Sequence, residues 1–222
     1  MAWPKQLVLV RHAESEGNVR TVDERAEFDT STNFYDITPR GVKQAEITGK
    51  YLHDRFGEFD VYYRSYFTRT NRTLEVMYPD AHVYEDARLA EAQRGIWHAM
   101  TKDQVAARFP EEVIRKEREG LYHYRPWGGE NWPDVELRAH SFLGTLGRDY
   151  ENKKVLCVVH GQWLIVLQKL IHHFSIEEAI EKYNSGIFEN TSVTVYEGEE
   201  NDGKSRLVLK EENIVPWKGL IE

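Results

Sequence analysis

Apolar residues run unbroken from Leu7 to Val10 and stop at Arg11-His12, the pattern of a strand covered on both faces in a parallel sheet. A second such run, Val155 to Val159, stops at His160-Gly161, and the apolar stretch Leu164 to Ile171 behind it reads as a helix. Helical spacing marks Val42, Ala45, Gly49, Leu52 and Phe56, with Thr38-Pro39 as cap and first turn and Gly57 as the stop. Phe59 to Tyr63 predicts another strand. Tyr66, Thr70, Leu74 and Met77 predict the inner face of a helix ended by Pro79, and His82 to Tyr84 a short strand after it. Val135, Ala139, Phe142, Leu146 and Tyr150 line one further helix, and Thr191 to Tyr196 and Arg206 to Leu209 read as late strands joined by the polar hairpin connection EGEENDGK. Strands alternating with helices predict an α/β fold: a three-layer sandwich with a mostly parallel central sheet and helices on both faces.

Residues 87–132 break the alternation. They are mixed, polar and aromatic, with a helix predicted from Thr101 to Phe109 and a loop around YHYRPWGGENW, and are expected to form a lid or substrate wall. A chain of 222 residues needs no second core, so residues 1–222 are expected to form one domain carrying this insertion.

Composition narrows the function. Hydrophobic residues at 41% and charged residues at 30% are those of an ordinary soluble globular protein. A net charge of −8 argues against a broad basic face for nucleic acid, and any anionic ligand needs a local cluster of cations. Cys157, the only cysteine, lies in the apolar run VLCVV and reads as a buried small hydrophobe; one cysteine allows no disulfide framework or cysteine-based zinc site within one chain. The N-terminus MAWPKQLVLV is too briefly apolar for a secretory signal and no run approaches a membrane span, so no membrane partner is implied and a cytoplasmic location is expected.

Ligands of open α/β sheets bind at the carboxyl ends of the strands, so His12 and His160, each ending a buried strand, are candidates for one shared site. Arg11 beside one histidine, Gly17-Asn18 after it, and Gly161 at a helix start after the other supply cations, free backbone N–H groups and a positive dipole end. These are the parts of an anion pocket. Arg64 at a strand end is a weaker pocket candidate, and Asn190-Thr191 begin a core strand or buttress the pocket. Glu14 and Glu16 are helix-start charges or recognition residues. The remaining histidines, His98 among them, show no metal spacing and read as structural or surface groups.

At these residues the chain resembles the histidine phosphatase superfamily, which includes phosphoglycerate mutases, fructose-bisphosphatases and acid phosphatases. RHAESEGN is similar to its RHG-type signature, with Ala13 in place of the commoner glycine. DITPRGVKQA resembles the helix start L-T-x-x-G-x-x-Q-A, RSYFTRTNRT the S-S-P-L-x-R-A-x-Q-T segment, LAEAQRGIW the L-x-E-x-x-x-G-x-W segment, GGENWPDVELR the P-x-G-E-S block, and VVHGQ the second-histidine segment. The resemblance covers most of the chain and implies a phosphoglycerate mutase-like fold. It implies His12 as nucleophile, Arg69 as a phosphate-binding arginine and Glu91 as proton donor, with Arg11, Asn18, His160 and Gly161 completing the phosphate site. No metal or other cofactor is implied, since the side chains themselves neutralise the equatorial oxygens.

The run EAQRG replaces the E-R-H-Y-G of mutases, which favours a phosphatase over a phosphoglycerate mutase. The lid resembles that of fructose-2,6-bisphosphatases, but Gly128 and Ile165 stand where a lysine and an arginine would hold a second phosphate. The expected partner is a small-molecule phosphate ester, a monophosphate or less charged ester, with an aromatic or sugar moiety against Tyr122, Tyr124, Trp127 and Trp132. A phospho-ligand binding protein is the non-enzymatic alternative. The oligomeric state is open, a homodimer included.

Overall fold

Alternate residues of the first strand face opposite ways, and both sets are apolar. Leu7 and Leu9 join one core cluster, Val8 and Val10 the other, and all four are fully buried. In a computed structural model, which describes residues 2–186, 188–201 and 203–221, this strand, β1 (Gln6–Arg11), lies inside a six-stranded sheet. The others are β2 (Val61–Arg64), β3 (Val83–Glu85), β4 (Lys154–Val159), β5 (Val193–Asn201) and β6 (Lys204–Ile214), in the order β3-β2-β4-β1-β5-β6. The pairs from β3 to β1 are parallel, and β5 and β6 are antiparallel to their neighbours.

Helices cover both faces. α2 (Pro39–Phe56) and α3 (Thr68–Met77) bury Ala45, Leu52, Leu74 and Met77 against Val8, Val10, Leu156 and Val158. α7 (Trp132–Asp149) and α8 (Gly161–His172) bury Phe142, Leu146, Trp163 and Leu164 against Leu7, Leu9, Val155 and Cys157. The expected three-layer α/β sandwich is therefore the observed one. Thr38 caps α2 through its hydroxyl, with Pro39 in the first turn and Gly57 at φ 64° ending the helix. α9 (Ile176–Asn184), capped by Ser175, follows α8.

Some boundaries differ from expectation. β2 starts at Val61, two residues later than expected, because Phe59 leaves the sheet edge to pack among Phe56, Tyr62 and Tyr78. Most of EGEENDGK is strand, since β5 runs to Asn201 and β6 begins at Lys204; Asp202 lies outside the described residues. Acidic residues there pair across the ribbon, as in Lys210–Glu199, so polarity marks a strand pair with two wet faces instead of a loop. Thr191 precedes β5 with φ 50°, its backbone N–H bonded to Arg11 O. The 87–132 segment opens with a 3-10 turn, Ala87–Leu89, and contains three α-helices before α7, namely α4 (Ile96–Ala99), α5 (Lys102–Arg108) and α6 (Pro110–His123). The expected Thr101–Phe109 helix is α5, whereas α6 and the six-residue α1 (Val22–Glu27) were not expected. Among the described residues, no helix is long and apolar enough to cross a membrane.

Candidate active site

The register of β1 on β4 pairs Arg11 with Val159, so the next residue of each strand, His12 and His160, leaves the sheet at the same level. Their ring centroids are 5.2 Å apart. The His12 backbone N–H still reaches Val159 O at 2.9 Å, which holds the first turn of the loop against β4. His12 Nδ1 lies 2.7 Å from Ala13 O, an acceptor only, so Nδ1 carries the proton and Nε2 the lone pair. That lone pair accepts from Arg69 Nε at 3.1 Å. Burial, followed by the charges of Arg69 and Arg11, pushes the His12 pKa well below its ordinary value of 6.5. The ring is neutral across the physiological range.

Arg69 comes from the first turn of α3 and is 8% exposed. Burial pulls its guanidinium down to about 10, with Glu91 opposing the shift. It also donates to Thr32 O at 2.9 Å, from a short 3-10 turn. Arg11 donates to Phe188 O, and its Nε has no partner among the described residues. Glu91 Oε1 accepts from its neighbour Ala92 N at 3.1 Å, and Oε2 faces Gln162 N at 3.4 Å, at the start of α8. Asn18 Oδ1 accepts from Ser15 N and Oγ, both at 3.0 Å, closing the loop after His12. Gly17 is required there, because a Cβ would stand 2.6 Å from the Tyr35 ring.

Arg11, His12, Asn18, Arg69 and Glu91 thus meet around one cavity of about 160 Å³. Two expected members stand behind its wall. His160 is fully buried between His12 and Phe67, its ring nitrogens without partners among the described residues, and burial again pushes its pKa well below 6.5. Gly161 backs Arg11, and a Cβ there would sit 3.5 Å from Arg11 Nε. Arg64 is not in the pocket; it pairs with Glu85 on the neighbouring strand at 2.8 Å. Glu14 pins the loop to α2 by accepting from Thr38 at 2.6 Å and pairing with Arg40 at 2.8 Å, while Glu16 accepts from Asp36 N. Asn190 buttresses the site, donating to His12 O at 3.0 Å and Asn18 Oδ1 at 3.3 Å.

The cavity also has walls that sequence reading missed: Arg25 from α1, and Arg94 and His98 around α4. Arg25 donates to Gly17 O and Arg94 to Tyr183 Oη. His98 lines the pocket, and burial and then the charges of Arg94, Arg25 and Arg69 lower its pKa to about 4, so it is neutral there. Arg94 was legible as the cation three residues beyond Glu91 in LAEAQRGIW. Thr21 and Glu24 form a capping box that could have signalled α1, but nothing local marks Arg25 as a pocket residue. Of the expected lid aromatics, Tyr122 and Trp132 are core residues, Trp127 packs edge-on against Phe109, and Tyr124 hydrogen-bonds Glu112.

A buried neutral imidazole with a lone pair, a buried and a half-buried arginine and a carboxyl group at a strand-end cavity suit phosphoryl transfer. The family model of the histidine phosphatase superfamily (branch 1) matches residues 7–210, and the chain belongs to that superfamily. It is 30% identical over 181 residues to the 2,3-bisphosphoglycerate-dependent phosphoglycerate mutase of Rhizobium rhizogenes, covering 78% of this chain and 82% of that one. The corresponding mutase of Methylobacterium radiotolerans is 32% identical over 169 residues, 72% of this chain and 76% of that one. The fold superposes on the alpha-ribazole phosphatase from Shigella flexneri with a TM-score of 0.71 at 21% identity, covering 94% and 96% of the two chains. A mycobacterial glucosyl-3-phosphoglycerate phosphatase superposes with a TM-score of 0.68 at 24% identity, covering 94% and 99%. Family membership supports a phosphatase or mutase activity.

Proposed function

We propose that the chain is a metal-independent phosphomonoesterase acting on a small-molecule phosphate ester in the cytoplasm, with residues 1–222 as one catalytic domain and 87–132 as its substrate wall. The observation that carries this reading is the His12 geometry: Nδ1 protonated toward Ala13 O, Nε2 bearing the lone pair on the cavity side beside Arg69. His12 Nε2 attacks phosphorus in line, and the bond from phosphorus to the ester oxygen breaks. Glu91 gives its proton to that oxygen, so the leaving group departs as an alcohol. Arg11 and Arg69 neutralise the phosphoryl oxygens and the Asn18 amide helps orient them, His160 backs the His12 ring from behind the cavity wall, and Ala13 O stabilises the positive charge that develops on the phosphorylated ring. Glu91 then takes a proton from water as the water oxygen attacks phosphorus; the phosphorus–nitrogen bond breaks, its electron pair returns to Nε2, and inorganic phosphate leaves.

Rapid acid-free quenching with a phosphate ester labelled in its phosphoryl group should trap label on His12, stable to alkali and labile to acid. His12→Ala should abolish turnover, and chelation should leave it intact. Absence of label together with loss of activity on chelation would overturn the reading.

A second reading, a phosphoglycerate mutase, draws on Arg25 and Arg94, which give the cavity more positive charge than one phosphoryl group requires. It expects activity to depend on a bisphosphate primer that phosphorylates His12; hydrolysis that proceeds unprimed and yields only inorganic phosphate counts against it.

A further inference from the structure

Beside the phosphoryl cavity lies a second cleft, of about 360 Å³, walled by Val22, Trp97, Leu121, Tyr124, Pro126 and Trp132 together with a few polar groups. The two spaces adjoin. Ala92 and Arg94 belong to the walls of both, and Gln162, which lines the cleft, presents its backbone N–H to Glu91 Oε2. Glu91 lines the phosphoryl cavity and its Oε2 faces Gln162 N in the cleft wall, so the carboxyl group stands where the two adjoin. A general acid must reach the ester oxygen, so what that oxygen carries lies beside Glu91, and this cleft is the apolar space next to that carboxyl group.

The walls say what it carries. Val22 is 49% exposed and Leu121 40% exposed, apolar surface that favours being covered. The Trp97 ring is held before any ligand arrives: its Nε1–H donates to Tyr124 Oη at 2.8 Å, and Tyr124 Oη donates to the buried Glu112 at 2.8 Å. Those bonds occupy the polar ends of both rings; Tyr124 is buried, and the half-buried Trp97 keeps part of its ring for contact. Lys116 Nζ lies 4.2 Å from the Trp97 ring centroid and adds a cation over the aromatic face. Other polar groups of the wall are already paired, Glu130 with Arg138 and Arg94 with Tyr183, itself a wall residue. The size falls within the range of small-molecule sites.

Resting on the phosphomonoesterase reading above, we propose that this cleft receives the leaving group of the substrate, and that the group carries a flat apolar or aromatic ring close to the ester oxygen. Trp97 and Leu121 are then specificity-determining residues. They grip the departing alcohol and leave the phosphoryl group to the arginines.

Phenethyl phosphate and ethyl phosphate test this, because both release a primary alcohol and differ in the ring. The native enzyme should show a kcat/KM about tenfold or more higher for phenethyl phosphate. Trp97→Ala and, independently, Leu121→Ser should move the ratio of the two values toward one, a readout that cancels any loss of folded enzyme. A binding arm uses the non-hydrolysable phenethylphosphonate and ethylphosphonate against inorganic phosphate by calorimetry. Equal kcat/KM values, or equal affinities of the two phosphonates in a protein that binds phosphate, would overturn the cleft proposal and leave the phosphomonoesterase standing. A protein that binds none of the three overturns both.

Discussion

Arg69 holds His12 in the right tautomer but occupies the lone pair that the proposed nucleophile must use. A bound phosphoryl group resolves this by drawing the Arg69 donors onto its own oxygens, freeing Nε2 at the moment phosphorus arrives beside it. The same guanidinium, second only to burial, keeps the imidazole unprotonated. Replacing it by a neutral side chain removes one positive charge near the ring, so the His12 pKa rises. Arg69→Met should therefore do two things: lower kcat/KM by about a hundredfold to a thousandfold, and move the acid limb of its pH profile upward. The limb is measured after correction for the titration of the substrate phosphate. A limb that stays in place, or moves to lower pH, would show that Arg69 does not govern the nucleophile.

At the scale of elements, the segment that carries Glu91 has little regular structure and is held by side chains of α7. Arg138 forms a two-pronged pair with Glu130, at 2.9 and 3.1 Å, and donates to Arg88 O and Ala90 O, the carbonyls just before Glu91. Glu130 in turn accepts from Gln93 N. Arg138 is a positioning residue acting through Glu91, so Arg138→Met should lower kcat by about tenfold to a hundredfold on esters with poor leaving groups, with KM much less affected. Esters of good leaving groups need no acid and should lose far less. An equal loss on both kinds of ester would point to a general structural defect. The fold elements that were legible, β1, β4, α2 and α7, are those whose apolar stripes meet the sheet. α6 was not legible because only Glu112 and Tyr122 of its residues are buried, and its register is pinned by a polar chain through Arg115, Glu112 and Tyr124. α1 buries no residue at all and rests on its capping box. Periodicity cannot reveal a helix that has no apolar stripe.

For the whole molecule, building the site has a pH-dependent cost to stability. His12 and His160 are buried with pKa values well below 6.5, whereas in the unfolded chain they titrate near the ordinary value. Below that pH the unfolded state binds protons that the folded state refuses. Stability is fully present above about 6.5 and falls as pH drops through it, by up to about 1.4 kcal/mol per pH unit for each histidine that stays neutral. Urea unfolding at about pH 7.5 and about pH 5.5 should show this loss, and His160→Asn should flatten it. A stability that is level or rising on acidification over this window would contradict the buried, neutral pair.

By itself the sequence determined the layers of the sandwich, because each central strand and covering helix carries an apolar pattern that only one packing can bury. It also determined the identities of His12, Arg69, Glu91 and His160 as candidates, since their motifs are local. Tertiary structure alone decided the rest. The register of β1 on β4 brought the two histidines to one level, placing one on the cavity wall and the other behind it. The packing of α4 onto α1 brought in Arg25, Arg94 and His98, and the 87–132 segment left an apolar cleft beside Glu91. These groups come from elements far apart along the chain, and no local pattern encodes the distance between them.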